Sequence, residues 1–185
     1  MPQEHLTDNP ILDAAKRELA ERSQTTAPLR TASNAYEGPA RIVSINTSTH
    51  KGTRKSPVAD GHDTVIEQFG LASDAHAGHW HRQVSLLAYE KIEAFRAKGA
   101  DIPLGAFGEN LIVEGYDFRN LPVGTRFSCG DALLEMTQIG KECHSHCEIF
   151  KRMGECIMPR EGVFAVVLRG GTIQKSDTIE LVTEK

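Results

Sequence analysis

The stretch TRFSCGDALLEMTQIG, Thr125–Gly140, shows most clearly how this chain is built. It contains two short apolar runs, TRFSC and ALLEMTQI, which are separated by Gly130 and Asp131 and end at Gly140. Runs of this length between turn-forming residues are typical of short β-strands. We therefore predict two strands in this stretch.

Similar runs recur along the chain from Ala40 onward. Further strand candidates are ARIVSINTS, the start of VIEQFGLASDAHAG, QVSLL, ENLIVEG, GVFAVVLRGG and DTIELV. Two helices are predicted, one after Leu87 that ends near Gly99 and one in SHCEIFKRMG, with Ser145 as a possible N-cap. There is no fixed-period repeat and no regular βαβ alternation. The pattern predicts a mainly β fold with a few helices, a compact β-barrel with helical insertions.

Residues 1–38 differ from this pattern. NPILDAAKRELAERSQ predicts a short helix that begins after Asn9, and TTAPLRTASNAYEGP has the small, polar composition of a linker. We therefore expect an N-terminal helical arm and linker over 1–38 and one β domain over 39–185.

Composition limits the function classes. The 185 residues carry a formal net charge of -4, with 39% hydrophobic and 25% charged residues, which is ordinary for a globular protein. The acidic balance argues against broad nucleic-acid binding. No apolar run approaches the length of a membrane span, and the first residues lack a signal-peptide pattern. We expect a cytoplasmic protein whose four cysteines are mostly reduced.

Three segments carry residues suited to chemistry. The first, Gly70 to Leu87, contains Asp74, His76, His79, His81 and Arg82, and imidazoles can bind metals, contact anions or move protons. An exposed polar turn is the competing interpretation. The second, PLGAFGENLIVEG, has glycines that permit turns or close approach to a ligand, followed by Glu109 and Asn110.

The third segment is IGKECHSHCEIF, Ile139–Phe150, which is rich in thiols and imidazoles. Cys143, His146, Cys147 and Cys156 could bind zinc, but the spacing lacks a second regular ligand pair. Alternatively Cys143 is a reactive thiol, since Lys141 and a following helix N-terminus would favour its thiolate. Cys129 is expected to be a small buried residue.

With these segments in view, the sequence resembles the MOSC-domain family, which is related to the C-terminal domain of molybdenum cofactor sulfurase. The resemblance spans about Arg41 to Val182 and is to the small stand-alone bacterial type. Five segments carry it in order: RIVSINTSTHKGTRKSPV, GLASDAHAGHWHRQVSLLAYEKIE, GAFGENLIVEG, LPVGTRFSCGDALLEMTQIGKEC and PREGVFAVVLRGG. It implies a mostly antiparallel β-barrel with a few helices.

The resemblance also implies roles for residues. Cys143 matches the family's characteristic cysteine, which is thought to carry sulfur as a persulfide or to ligate molybdenum. IGKEC stands where many relatives have a proline-arginine pair before Pro-Cys, and Lys141 would supply some of the missing charge. The residues that would surround the cofactor or hold its anionic end are Lys51, Arg54, Lys55, Asp74, His76, His81, Arg82, Gly108, Glu109, Asn110, Lys141 and Arg160.

Three functions follow as hypotheses. The first is a molybdenum-cofactor-associated protein that binds the anionic pterin and receives sulfur from a donor protein. The second is a molybdenum-dependent reductase of N-hydroxylated compounds that takes electrons from a separate protein, because the chain contains no flavin, haem or iron–sulfur motif. The third is a zinc-binding structural or interaction module. Neither nucleic acid nor a membrane is expected as a partner.

Overall fold

The structure, a computed structural model, describes residues 40–142 and 147–182. The predicted arm and linker over 1–38 and the candidate thiol Cys143 therefore lie outside the described residues. So do His146 and Ser145. All structural statements below concern the two described ranges.

Short strands dominate the described residues, as the sequence predicts. The eleven strands found there are β1 Arg41–Thr47, β2 Ser56–Pro57, β3 His62–Ile66, β4 Gly70–Leu71, β5 Val84–Ala88, β6 Leu111–Glu114, β7 Arg126–Cys129, β8 Ala132–Ile139, β9 Val163–Arg169, β10 Gly171–Gln174 and β11 Ile179–Val182. The helices are α1 Tyr89–Arg96, α2 Glu148–Met153 and α3 Met158–Glu161, with a 3₁₀ turn at Phe118–Asn120.

Eight strands form one mixed sheet in the order β11-β7-β8-β9-β5-β6-β1-β2, and β10-β3-β4 form a small second sheet. The pairs are antiparallel except for β5 and β6, which run parallel and are connected through α1. This single crossover agrees with the expected mostly antiparallel fold without regular βαβ alternation, although the sequence did not indicate which pair would be parallel. Parallel pairing between β5 and β6 is a long-range contact that periodicity alone does not reveal.

The large sheet is not closed into a barrel, which corrects one detail of the expected fold. Its two ends approach each other at a single bridge between Arg41 and Thr178. Three backbone hydrogen bonds surround that bridge, and one of them runs from the Ile179 N–H to the Ala40 carbonyl at 2.9 Å. The prediction of a mainly β fold with a few helices is confirmed.

The two predicted strands in Thr125–Gly140 are β7 and β8. They pair antiparallel across Gly130, and Arg126 lies opposite Glu135 in the register. Their side chains form an ion pair with Nε and Oε2 2.6 Å apart on the outer face. The alternate residues Phe127 and Leu134 are fully buried. Alternation of apolar and polar residues therefore fixes which face of this hairpin meets the core.

The helices follow their sequence signals with one change at α2. Ile92 and Phe95 are the buried residues of α1, and their spacing of three positions places them on one face of the helix. In α2 the N-cap position is occupied by Cys147 instead of Ser145, and Gly154 ends the helix with a φ of 73°. Among the described residues no helix is long and apolar enough to cross a bilayer.

The buried apolar side chains form two clusters. The larger lies between the two sheets and contains Phe118, Phe127 and Cys129. The smaller lies under the helices and includes Phe95 and Phe164. This smaller cluster supports the loops that surround the cavity described next.

Candidate functional site

A cavity of about 850 Å³ opens where four loops converge on α2. The loops follow β1, β4, α1 and β8, and β5 and β9 supply part of the floor. A volume of this size is in the range of small-molecule sites. Its charged and aromatic lining residues are Arg54, Lys55, His76, Trp80, Arg82, Asp101, Phe107, Lys141, Glu142, Glu148, Arg152 and Phe164.

A buried ion pair holds one wall of this cavity. The Lys55 ammonium lies 2.8 Å from Oδ2 of Asp74, and the two side chains are 5% and 1% exposed. The resemblance implies that Lys55 contacts the anionic end of a cofactor, yet its side chain turns inward to Asp74. Gly105 makes this possible, since it has a φ of +84° and any Cβ there would meet the Lys55 carbonyl oxygen at 2.5 Å.

Burial and pairing shift the pKa values of Lys55 and Asp74 in opposite directions. Burial raises the pKa of Asp74, but the nearby Lys55 ammonium and hydrogen bonds from Lys55, Asn110 and the Ser48 N–H outweigh it and lower the pKa to about 2. Burial lowers the pKa of Lys55, although Asp74 and Glu109 oppose that shift. Asp74 is therefore ionised at neutral pH, and a buried ion pair of this kind needs hydrogen bonds from its neighbours.

Asn110 provides hydrogen bonds both to this pair and to the strands beside it. Its amide nitrogen donates to Oδ2 of Asp74 at 2.7 Å and to the Asn46 carbonyl at 3.1 Å. Its amide oxygen accepts from the backbone N–H and the hydroxyl of Ser85 at 3.1 Å and 2.9 Å. Asn110 therefore connects β5, β1 and the Asp74 loop through one fully used side chain.

His76 holds the basic loop after β1, residues 51–55, in place from the cavity side. Its Nδ1 lies 3.3 Å from Oδ1 of Asp74 and 3.1 Å from the Ser48 hydroxyl, while its Nε2 accepts the Gly52 N–H at 3.1 Å. Because Nε2 accepts, the proton of a neutral ring is on Nδ1. The imidazole thereby ties the loop after β1 to the buried pair.

Glu109 is fully buried next to this network. Its Oε1 accepts the Gly105 N–H at 2.8 Å, and Oε2 has no hydrogen-bond partner among the described residues. Burial raises the pKa of Glu109 to about 7, against the effect of three backbone N–H groups and of Lys55. The two carboxyl groups near Lys55 therefore titrate far apart, Asp74 at a pKa of about 2 and Glu109 at about 7.

Arg82 is held between two aromatic rings. Its guanidinium carbon lies 4.6 Å from the centre of the Trp80 ring and 5.6 Å from that of Phe164. Stacking of this kind fixes the plane of the guanidinium without using its N–H groups. Its Nε is buried and has no hydrogen-bond partner among the described residues. The side chain is thus oriented and still able to donate to a ligand.

Four cations on the cavity wall make no ion pair with any described residue. They are Arg54, Arg82, Lys141 and Arg152. The carboxylates on the wall are Asp101, Glu142 and Glu148, of which Glu148 is paired with Lys151 at 3.0 Å. The wall therefore carries an excess of unpaired positive charge, which suits an anionic ligand.

The predicted site residues fall into three groups in the structure. Two, Asp74 and Glu109, lie buried directly behind the wall. Three lie elsewhere, since Lys51 is exposed in its loop, His81 contacts Oε1 of Gln138 at 2.9 Å, and Arg160 pairs with Glu155 at 3.3 Å. Seven line the cavity: Arg54, Lys55, His76, Arg82, Gly108, Asn110 and Lys141.

Sequence reasoning missed two cavity residues of clear chemical interest. Trp80 lies between two histidines and is 39% exposed at the cavity. Arg152 follows Glu148 by four positions in α2, so helical periodicity places both on one face. That spacing is the signal that could have identified Arg152, because Glu148 also lines the cavity.

The candidate thiol Cys143 belongs to a segment whose two ends reach this cavity. Glu142 and Cys147, which flank the residues outside the description, are both lining residues. Gly140, with a φ of +68°, packs against the Pro159 carbonyl and donates its N–H to the Gly162 carbonyl at 2.6 Å. These contacts fix the point at which the segment leaves β8.

The described ranges give the zinc hypothesis no support. No set of three or more His, Cys, Asp or Glu side chains in residues 40–142 and 147–182 is arranged to hold a metal ion. Of the four proposed ligands, Cys147 and Cys156 line the cavity. The other two lie outside the description.

An anionic pterin fits the residues that are present. Such a group needs several cationic donors around its phosphate and hydrogen-bonding groups around its ring. The unpaired guanidinium of Arg82 and the cations Arg54, Lys141 and Arg152 provide the first. Gly108 and Asn110 border the same cavity, but the backbone groups of Asn110 are bonded to Ser85 and Asn46, so this residue shapes the wall instead of contacting the ring.

Comparison with solved structures gives the same fold. The YuaD protein of Bacillus subtilis aligns with a TM-score of 0.66 at 17% identity, covering 82% of this chain and 100% of its own. YiiM of Geobacillus stearothermophilus aligns with a TM-score of 0.61 at 22% identity, covering 78% and 76%. YiiM of Escherichia coli gives 0.52 at 21% identity, covering 78% and 71%. No curated protein matches the chain.

The family assignment comes from the sequence. The MOSC domain model matches residues 73–180, which contain the Asp74 loop, the wall after α1 and all four cysteines. This range is more than half of the chain, and it covers the large sheet from β5 to the first residues of β11. The chain therefore belongs to the MOSC domain family.

Proposed function

We propose that the cavity binds an anionic molybdenum cofactor and that Cys143 carries sulfur for it or ligates its metal. The observation that carries the proposal is the cavity wall with Arg54, Arg82, Lys141 and Arg152, which make no ion pair with a residue that the structure describes. Family membership adds the chemical class of the ligand, since MOSC domains are associated with this cofactor. When bound, the cofactor would supply a molybdenum centre with a soft-ligand preference that a thiolate satisfies.

Most of the cavity residues would bind or position the ligand, and Cys143 would be the reactive group. Arg82, fixed between Trp80 and Phe164, would donate to the phosphate or another anionic oxygen of the ligand. Lys55 is paired with Asp74 and would act through the shape of the wall. Cys143 would supply the thiolate, since the two ends of its segment border the cavity.

The test is production of the full chain in a host with an intact cofactor pathway, followed by gentle purification. Molybdenum is measured by elemental analysis, the pterin by fluorescence after oxidation, and the persulfide on Cys143 by mass spectrometry. We expect cofactor or persulfide on the wild type and a loss of both the metal and the persulfide in Cys143→Ala. Wild-type protein with neither, or Cys143→Ala with undiminished amounts of both, contradicts the proposal.

Charge variants test the wall itself. Arg82→Gln and Arg54→Gln should each weaken pterin retention by about tenfold, which corresponds to ~1.4 kcal/mol for a lost charge-assisted contact. Arg169→Gln is the matched control, because Arg169 is exposed on β9 and does not line the cavity. Equal retention in the wall variants and the control would exclude this wall as the anion site.

A molybdenum-dependent reductase of N-hydroxylated compounds is the second candidate. The cavity volume of about 850 Å³ is near the upper part of the range for small-molecule sites, which favours room for a substrate beside a cofactor. Supplying the loaded protein with an electron-donor chain and an N-hydroxylated compound separates the two functions. Turnover that depends on the cofactor supports the reductase, and sulfur delivery without turnover supports the carrier.

A further inference from the structure

The strand β8 contains a β-bulge near its end, and the bulge contacts the loop that carries Trp80 and Arg82. The register of β8 against β9 shifts between Met136 and Gln138, which makes Thr137 the extra residue of the bulge. Bulges re-aim side chains out of the regular alternation of a strand and are frequent next to functional sites. Here the side chains of Thr137 and Gln138 both contact the residue that lies between Trp80 and Arg82 in the sequence.

The Thr137 hydroxyl connects two backbone segments that border Arg82. Thr137 is buried, and its hydroxyl donates to the His81 carbonyl and to the Phe164 carbonyl, the second at 3.1 Å. The His81 carbonyl belongs to the peptide bond that leads into Arg82, and Phe164 supplies one of the two rings beside the guanidinium. One hydroxyl therefore joins the backbone before Arg82 to the residue on which Arg82 stacks.

Gln138 holds the imidazole of His81. The Gln138 amide nitrogen donates to the Gly140 carbonyl at 2.6 Å, and Oε1 of Gln138 lies 2.9 Å from Nε2 of His81. Because a carbonyl oxygen only accepts, the amide nitrogen has to face Gly140, which leaves the amide oxygen to face the imidazole. Nε2 of His81 therefore carries a proton and donates it to Gln138.

His81 is thus held at two points, although its own side chain is exposed and does not line the cavity. Thr137 bonds to its carbonyl and Gln138 to its ring. The two neighbours of His81, Trp80 and Arg82, both line the cavity, and the Arg82 guanidinium carbon lies 4.6 Å from the centre of the Trp80 ring. Since peptide bonds join His81 to both neighbours, fixing His81 fixes the backbone from which both side chains project.

We propose that Thr137 and Gln138 are positioning residues, which hold His81 so that Arg82 presents its charge to an oxyanion of the ligand. Neither residue lines the cavity, so both act on the ligand through Arg82. A guanidinium that is already in place binds an anion more tightly, because its side chain is not ordered at the moment of binding. The inference deepens the proposed function and rests on it only for the identity of the anion, since the position of Arg82 is measurable without a cofactor.

The single tryptophan of the chain, Trp80, makes the position of Arg82 measurable. Its ring is 39% exposed, so dissolved quenchers reach it. Quenching of its fluorescence by the anion iodide increases beside a cation, whereas quenching by neutral acrylamide depends on access alone. The ratio of the two quenching constants therefore reports the charge beside the ring. It is measured on the full chain at about pH 8, well above the ordinary pKa of histidine.

Four variants, produced in a host that lacks the cofactor pathway, separate the hydroxyl from the fold. Arg82→Gln sets the ratio expected without the cation, about twofold below the wild type in low salt. Thr137→Val keeps the shape of the side chain and removes the hydroxyl, and it should lower the ratio by most of that amount. Thr137→Ser keeps the hydroxyl and should retain the wild-type ratio. Thr64→Val, the same change at an exposed position of β3 that does not line the cavity, is the control and should leave the ratio unchanged.

Two variants outside the core test the imidazole contact. Gln138→Leu should lower the ratio by less than Thr137→Val does, because the His81 carbonyl is still held. His81→Ala should lower it by the same amount as Gln138→Leu. Circular dichroism shows whether each variant is folded, and if Thr137→Val fails to fold, these two variants decide the result.

An unaltered ratio in a folded Thr137→Val or Gln138→Leu overturns the role of that residue. Equal losses in Thr137→Ser and Thr137→Val would assign the effect to packing and overturn it as well, as would a wild-type ratio no higher than that of Arg82→Gln. Lowered ratios in Thr137→Val and Gln138→Leu, for a chain that never acquires pterin in any host, would uphold the inference while the proposed function fails. A wild type that acquires pterin, with unaltered ratios in both variants, would do the opposite.

Discussion

The cavity wall that carries Lys55 and His76 is fastened by buried polar contacts, whereas the wall that carries Cys147 and Arg152 stands on a six-residue helix whose buried residue is Ile149. The first wall uses an ion pair and the four hydrogen-bonding positions of Asn110 to fix one geometry. The second exposes Cys147 and Arg152 to solvent. One wall is thus fixed by buried contacts and the other is open to solvent, and the predictions below test that difference.

The largest effect is expected at the buried ion pair. Asp74→Ala leaves the Lys55 ammonium buried without its carboxylate, which should lower the free energy of unfolding by about 3–5 kcal/mol. Denaturant unfolding followed by circular dichroism measures it. Glu148→Gln, which removes an ion pair of the exposed wall, is the control and should cost less than about 0.5 kcal/mol. Similar losses in both variants would show that the two walls do not differ in this way.

The second prediction concerns the opposite pKa shifts of Asp74 and Glu109. The folded-state pKa of Glu109 is raised from 4.5 to about 7, so its ionisation costs stability progressively as pH rises through that window. Glu109→Gln should therefore gain stability relative to the wild type between pH 4.5 and 7, by about 3 kcal/mol at most. Unfolding curves at several pH values measure this difference.

Asp74 is the matching test, because its pKa is shifted in the opposite direction to that of Glu109. Its folded-state pKa is lowered from 3.8 to about 2, so it contributes stability above pH 3.8 that is lost as pH falls toward 2. The free energy of unfolding of Asp74→Asn is below that of the wild type at neutral pH, and this difference should shrink by about 2 kcal/mol across that acid range. A flat difference for either variant would contradict the shift assigned to that carboxyl group.

A smaller effect is expected at His76. Its Nε2 accepts the Gly52 N–H, so His76→Ala should release the loop after β1 and speed hydrogen exchange of the Gly52 amide by about fivefold, the equivalent of ~1 kcal/mol. The matched control is His79→Ala, because His79 is exposed and contacts the Gln68 carbonyl instead. Unchanged exchange in His76→Ala would mean that the loop is held without the imidazole.

Local pattern was sufficient to predict much of the fold. The turn residues around Gly130 indicate β7 and β8, and the spacing of Ile92 and Phe95 indicates α1. The parallel pairing of β5 with β6 could not be predicted, because it joins segments more than twenty residues apart and leaves no periodic signal. The failure of the sheet to close is likewise set by where β1 and β11 meet in space.

The site was predictable in its segments and less so in its individual side chains. The sequence pointed to Asp74, His76 and Arg82 together, and the structure places His76 and Arg82 on the cavity wall with Asp74 buried behind it. It could not show that Lys55 is buried while Lys51 of the same loop is exposed, because that depends on a carboxylate brought from another loop. Tertiary contacts overrule composition at such positions.

The smallest effect on stability, and the sharpest on reactivity, is expected at Arg152. Because it is exposed on α2 and makes no ion pair with a described residue, Arg152→Gln should change the free energy of unfolding by less than about 0.5 kcal/mol. The same variant should slow the reaction of Cys147 with the anionic reagent dithiobis-nitrobenzoate by about two- to threefold in low salt. Its reaction with neutral dithiodipyridine should not change, since no charge is attracted. Peptide mass spectrometry assigns the modified thiol, and equal slowing with both reagents would show that Arg152 acts by shape instead of charge.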